Sequence, residues 1–203
     1  MRKRVLWGHH VSEYQEMFDL SDQMLTQSIL EYGCGPSAVN TELHAMHQAN
    51  IISMDPLFSD SKSKLKQIAV ADFEARATQV LKDPSQFHVT NYGGMDAFLV
   101  SRREGMDLFF EDYELGVSEG RYKPLSDDAM LAFDDFSFDL ALSSHYLFAG
   151  SNQQSIDVHL NRIRELARVA KEVRIFPLFE REGTPSALIG PVLLGLQQAN
   201  FGA

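Results

Sequence analysis

The sequence predicts an α/β domain, a doubly wound and mostly parallel sheet with helices on both faces. Three observations carry that reading. Short apolar runs alternate with longer segments in which apolar residues recur every three or four positions. The first run ends in Gly33-Cys34-Gly35-Pro36, a tight turn that leads directly into a helical pattern. The second ends in Asp55-Pro56, where a proline cannot extend a central ladder. Strands separated by helices imply parallel pairing through right-handed crossovers, with ligands at the carboxyl ends of the strands.

Ser12-x-x-Gln15 is a capping-box pattern, and Tyr14, Met17 and Phe18 behind it predict a short helix within an N-terminal lid over 1–27. Ser28 to Tyr32 reads as a buried strand, Val39, Leu43 and Met46 as one face of a helix, and Ile51 to Met54 as a second strand. This completes a βαβ unit. From about 60 to 118 the pattern is helical, with Leu65, Ile68, Phe73, Ala77 and Val80 on one stripe and Met95, Phe98, Met106, Phe109 and Tyr113 on another. Asp83-Pro84 and Asn91-Tyr92-Gly93-Gly94 separate the two helices. This crossover is long enough for part of it to cover a ligand. A strand around Tyr122 to Leu125 follows, then Phe138 to Ser143, an amphipathic helix through Ile156, Leu160, Ile163, Leu166 and Val169, a fifth strand over Val173 to Phe176, and a last helix over Ala187 to Gln198. The loops facing a ligand are then 33–37, 55–58, 126–130 and 143–148.

A chain of 203 residues, 44% hydrophobic, can bury one core, so 1–203 reads as a single domain. Eighteen Lys plus Arg against 28 Asp plus Glu give a net charge of −10, the wrong sign for gripping a phosphate backbone, and nucleic acid is not an expected partner. Arg162, Arg164, Arg168, Lys171 and Arg174 form the densest basic cluster and read as a solvated helix face. Cys34 stands alone, so no internal disulfide and no Cys-x-x-Cys site exists, which fits a reducing cytoplasm. No stretch approaches ~18 apolar residues, so no membrane span is expected. His44 and His47 are three apart on a helix, but no third metal ligand accompanies them.

Glycines at 33 and 35 let a ligand approach the backbone where the first strand turns into a helix. Glu31 stands two residues before this turn, facing the same loop, where its carboxylate suits the amino group of an amino-acid tail. Asp55 ends the second strand, where two acceptor oxygens suit both hydroxyls of a ribose. A dinucleotide fingerprint would instead place glycine at 38, which is alanine here, and an apolar residue at 31.

These residues resemble class I S-adenosylmethionine-dependent methyltransferases. Leu30-Glu31-Tyr32-Gly33-Cys34-Gly35 is similar to the first motif of that family, and Asp55 to its ribose acid. Asp128-Ala129-Met130-Leu131-Ala132-Phe133-Asp134-Asp135-Phe136-Ser137-Phe138-Asp139 is similar to its most specific stretch, and Glu165-Leu166-Ala167-Arg168-Val169 to the helix before its fifth strand. The resemblance spans about 28 to 179. It implies that Glu31, Tyr32, Gly33 and Gly35 line the methionine moiety of S-adenosylmethionine, that Asp55 with Pro56 binds the ribose, that Asp128 with Ala129 or Met130 borders the adenine, and that Ser143 lies under the sulfonium. It further implies that Asp55→Ala and Gly33→Val weaken cofactor binding with the fold intact.

The usual third glycine of the first motif is Ser37 here, and the family's Leu-Pro-Phe is Leu131-Ala132-Phe133. The family's last two strands have no counterpart before Ala203, which predicts either an exposed fifth strand, with a homodimer through that edge or an unstable fold, or a sequence cut from a longer one. Because a sulfonium is already an activated methyl donor, alignment does most of the work and a base is needed only where the acceptor must lose a proton. His145, with Tyr146 beside it, is the candidate base. Trp7, His9, His10, Tyr14 and Phe18 suit an aromatic lid. The expected function is methyl transfer to a small molecule. A non-catalytic S-adenosylmethionine-binding protein and an NAD(P)-binding oxidoreductase are the alternatives.

Overall fold

The computed structural model describes residues 6–46, 50–82, 89–126, 130–148, 155–179 and 184–202. Strands β1 (Ser28–Tyr32), β2 (Asn50–Asp55), β3 (Tyr122–Pro124), β4 (Phe138–Ser144) and β5 (Ala170–Phe176) form one sheet in the order β3-β2-β1-β4-β5. Every pairing is parallel. The central register sets Leu30 of β1 between Ile52 of β2 and Ala141 of β4. The helices are α1 (Val11–Phe18), α2 (Val39–Ala45), α3 (Lys62–Lys82), α4 (Met95–Ser118), α5 (Ile156–Val169) and α6 (Ile189–Gln198).

Side chains alternate across a strand, and here the alternation separates two cores. Ile29, Ile51, Leu140 and Leu142 pack with Val11, Tyr14 and Phe18 of α1 and with Val39 and Leu43 of α2. Leu30, Met54 and Ala141 pack with Leu160, Ile163 and Leu166 of α5 and with Val192 and Leu196 of α6. Because both sides of β1 and β4 are covered, these strands read in the sequence as continuous apolar runs. A third cluster joins α3 and α4 to the sheet through Phe58, Phe109, Tyr113 and Tyr122. The chain steps from β1 to β2 to β3 on one side and returns to β4 on the other, so the reversal of strand order falls between β1 and β4. That is where open α/β sheets bind ligands.

Two details differ from the sequence reading. The first helix is not started by Ser12 and Gln15. Glu13 reaches back to the His10 amide at 2.8 Å, and Glu42 of α2 accepts from the Val11 amide at 2.7 Å, so the helix begins one residue before Ser12. β5 begins at Ala170 rather than Val173, because Lys171 and Glu172 are exposed strand residues without an apolar signal. Asp83 and Pro84 lie outside the described residues.

The segment that leads into β4 and the last turns of α5 meet in space. Arg168 donates to the carbonyls of Leu131 (3.0 Å) and Phe133 (2.9 Å) and to Asp135 (2.9 Å), while Glu165 accepts from the Leu131 amide at 2.7 Å. The pair clamps the loop that feeds β4. Most of the basic cluster is likewise engaged locally: Lys171 on Asp139 at 2.7 Å, and Arg174 on Glu172 at 2.6 Å and on the Asp19 carbonyl at 2.9 Å. No helix among the described residues is long and apolar enough to cross a membrane.

Residues Leu6 to His10 form a strap across α4. Gly8 meets Gly105 there without side chains between them. A Cβ on Gly8 would stand 2.2 Å from the Met106 nitrogen and 2.3 Å from the Arg102 carbonyl, both backbone atoms with little freedom to move. Gly8→Ala is therefore expected to cost about 2–3 kcal/mol, a fall in Tm of roughly 5–10 °C by calorimetry, with the strap displaced from α4. An unchanged Tm would contradict this packing.

Candidate functional site

The carboxyl end of β1 turns into α2 through two left-handed glycines, Gly33 (φ 74°) and Gly35 (φ 63°). Side chains disfavour that region, and at Gly33 there is also no room, since a Cβ would lie 2.1 Å from Cγ of Tyr146. At Gly35 a Cβ would approach only Leu6 of the strap, at 3.2 Å. Asp55 fastens this loop to β2: one carboxylate oxygen accepts from the Gly35 amide at 2.7 Å and the other from the Leu57 amide at 2.8 Å, within the short turn that Pro56 begins. Asp55 is wholly buried. Asp55→Ala would orphan both amides, and Gly33→Val would strike Tyr146. Neither substitution leaves the fold untouched, contrary to what the resemblance implied.

Glu31 is also fully buried, on the α1 and α2 side of the sheet. One of its oxygens accepts from Ser53, whose hydroxyl accepts in turn from Asn40 at 2.8 Å. Asn40 takes a bond from Arg121 at 2.8 Å, and Arg121 grips Asp112 with two bonds of 2.7 Å. The other oxygen of Glu31, Oε1, is buried with no partner in hydrogen-bond geometry, although the hydroxyls of Tyr14 and Ser37 lie close to the carboxyl. Burial pushes the carboxyl up to about 7, against the hydroxyls of Ser53, Tyr14 and Ser37, which favour the charged form, and with some help from Asp55.

Facing this loop, His145 follows β4 in a left-handed conformation (φ 54°), its amide on the Phe176 carbonyl at 2.6 Å and its Nδ1 on the Ser144 hydroxyl at 2.7 Å. Its ring stacks on His9 of the strap, centroids 5.1 Å apart and planes at 17°. Burial lowers both imidazoles, His145 well below the ordinary histidine value, with His9 and Arg102 adding repulsion there. His9 sits against Arg102 of α4, whose Nη1 lies 3.2 Å from His9 Nδ1. The same Nδ1 lies 3.6 Å from Glu13 Oε2, so the guanidinium and the carboxylate make opposite demands on it, leaving Nε2 as the other ring nitrogen. That Nε2 is buried and unpartnered. Arg102 also bonds Glu13 and, at 2.9 Å, Tyr92. Burial would raise the Glu13 carboxyl, but His9 and Arg102 hold it far below its usual range. The strap is tied to the glycine turn as well, since the His9 carbonyl accepts from the Ala38 amide at 2.9 Å.

Glu31, Gly33, Gly35, Asp55 and Pro56 thus gather at one loop, with Tyr146 against Gly33 and Tyr32 edge-on to Tyr146 at 5.5 Å. Ser143 is wholly buried with its Oγ unpartnered, but alternation from Ala141 puts it on the α5 side, across the sheet from Glu31. Met130 is 74% exposed, and Asp128 and Ala129 lie outside the described residues. His44 is half exposed near Glu119, His47 lies outside the described residues, and among the described residues no cluster suits a metal. The sequence reading named His9 only as part of a lid. Its neighbours Glu13 and Arg102, with Tyr92 bonded to both, lie outside that reading, as does the line Ser53, Asn40, Arg121 and Asp112; Glu13 stands at helical i,i+4 spacing from His9, but no spacing pattern links Arg102 to His9 or Arg121 to Asn40.

Glu31 gives stability a definite pH dependence. Its native pKa lies above the unfolded value, so between about 4.5 and 7 the native state holds a proton that the unfolded chain has released. This contribution is present at low pH and is lost as pH rises through that window. Glu31→Gln mimics the protonated form at every pH. Its gain in Tm over the parent should be larger at pH 8 than at pH 5 by roughly 4–8 °C in thermal denaturation. A pH-independent difference would show that Glu31 titrates normally.

The chain is 25% identical over 196 residues to the uncharacterized protein MJ0045 of Methanocaldococcus jannaschii, a match that covers 95% of this chain and 86% of that protein. No protein-family model matches the chain, and no solved structure matches it.

Proposed function

We propose that the chain binds S-adenosylmethionine over the turn that follows β1 and transfers its methyl group to a small molecule. The single observation that carries this reading is the buried, unpartnered Oε1 of Glu31 beside a left-handed glycine turn. A buried carboxyl left with an open acceptor costs stability. An amino group arriving there would complete its bonding and favour its charged form. Asp55 is placed where this reading puts its ribose acid, at the end of β2 and bonded to the Gly35 amide of the same turn.

When bound, the cofactor supplies an activated methyl group, so the protein's own task is to position reactants and receive a proton. His145 is the candidate to receive one by its place after β4 and by the Ser144 hydroxyl on its Nδ1. Burial, with His9 and Arg102 beside it, disfavours its protonated form, so on this reading it must gain its proton as the bound acceptor changes that environment. The strap lies over Gly35 through Leu6 and holds the Ala38 amide, so on this reading cofactor and strap adjust to one another at the turn. That closed contact also favours a second reading, a protein that binds S-adenosylmethionine without turnover. The departure at Ala38 and the acid at 31 weigh against an NAD(P)-dependent oxidoreductase.

Isothermal titration with S-adenosylhomocysteine should show saturable binding, with none for NADH. Glu31→Gln should weaken that binding by at least about tenfold, as loss of a charged hydrogen bond does, while the folded protein gains stability. A folded protein that ignores S-adenosylhomocysteine would overturn the reading, and binding of NADH alone would replace it with the oxidoreductase. An acceptor screen with labelled donor then separates an enzyme from a binder.

A further inference from the structure

We propose that β5 is the surface through which two copies of this chain pair, antiparallel and centred on Val173, to continue the sheet across a two-fold axis. β5 is an edge of the sheet and pairs only with β4 among the described residues. The Phe176 carbonyl points inward, accepting from the His145 amide at 2.6 Å. Backbone groups alternate sides along a strand, so those of Lys171, Val173 and Ile175 face outward.

Charges on an edge strand usually block pairing. Here their order selects one register instead. A two-fold axis requires one residue to face its own copy. Centring on Lys171, Glu172 or Arg174 sets like charges against each other on the axis. Centring on Ile175 sets Val173 against Pro177, which has no amide hydrogen to give. Centring on Val173 sets that residue against itself and places Glu172 opposite Arg174 of the second copy on both sides of the axis. Within one copy Glu172 and Arg174 already lie on the same face, bonded at 2.6 Å. All outward amides and carbonyls of Lys171, Val173 and Ile175 then pair.

A strand alone is too small for a stable dimer, which buries roughly 1,200–2,000 Å² in total. The edge offers more. An apolar cavity of about 550 Å³ between β5, α5 and α6 is lined by Ile175, Leu178, Val192, Leu193 and Phe201, and on α6 Leu193 is 40% and Leu194 55% exposed. This pairing is independent of what the glycine turn binds.

The test is sedimentation velocity of the whole chain from about 1 to 100 µM. The parent should dimerise. Glu172→Arg alone and Arg174→Glu alone should each weaken the dimer by about tenfold or more, and the two together should return it toward the parent, because the opposed charges are exchanged but remain complementary. Circular dichroism confirms that each variant is folded. A parent that stays monomeric throughout overturns the proposal, as does a dimer indifferent to either reversal or a double variant as weak as the singles.

Discussion

A carboxyl group buried beside the point where the strand order reverses sets what the surrounding structure must supply. β1 is covered on both sides, so Glu31 meets no bulk solvent, and burial disfavours its charge. Ser53 on the neighbouring strand gives it one bond, and that hydroxyl is itself fixed by Asn40, which is fixed by Arg121. The last link, Arg121 with Asp112, ties α4 to the residue preceding β3 with a two-pronged ion pair. A line of polar contacts therefore runs from the centre of the sheet to its periphery. A buried network of this kind rigidifies a core when each member is satisfied, and is costly where one is not. The one atom of this line without a partner in hydrogen-bond geometry is Oε1 of Glu31.

The strap closes the same region from the other side. Its backbone meets α4 at a glycine pair, and its His9 is held by Arg102, whose charge is compensated by Glu13 of α1 and shared with Tyr92. Breaking one partner of so buried a pair leaves an uncompensated charge, which is far worse than lacking the pair altogether. The strap, α1 and α4 are consequently one mechanical unit. His9 transmits that unit to the turn by stacking on His145 and by holding the first amide of α2's approach. The imidazole chemistry of the site is thereby linked to the order of the N-terminal segment.

The sheet was legible in the sequence because its central strands are buried on both sides and so stand out as short apolar runs between helical stripes. The edge was less so: β5 opens with the buried Ala170, but Lys171 and Glu172 behind it are exposed and interrupt the apolar run. The glycine turn and its two acids were legible because left-handed backbone and close approach leave few residue choices. What each acid does was not. Asp55 reads as a ligand group from its place at a strand end, yet its first task is to hold two amides of neighbouring loops. Arg102 and His9 stand 93 residues apart, and Arg121 and Asn40 stand 81 apart, so only the fold brings them into contact.

Resemblance of motifs and an argument for binding are consequently different things in this molecule. The most specific matching stretch is accounted for in part by folding alone, since Glu165 and Arg168 clamp Leu131, Phe133 and Asp135 ahead of β4 whether or not anything binds. Gly33 is required by Tyr146, and Asp55 by the loop it fastens. Folding accounts less fully for Oε1 of Glu31 and Nε2 of His9, which are buried without a partner in hydrogen-bond geometry although the Tyr14 and Ser37 hydroxyls lie close enough to Glu31 to favour its charge. Native interiors rarely leave such atoms unsatisfied, and where they do a functional reason is the first to be sought.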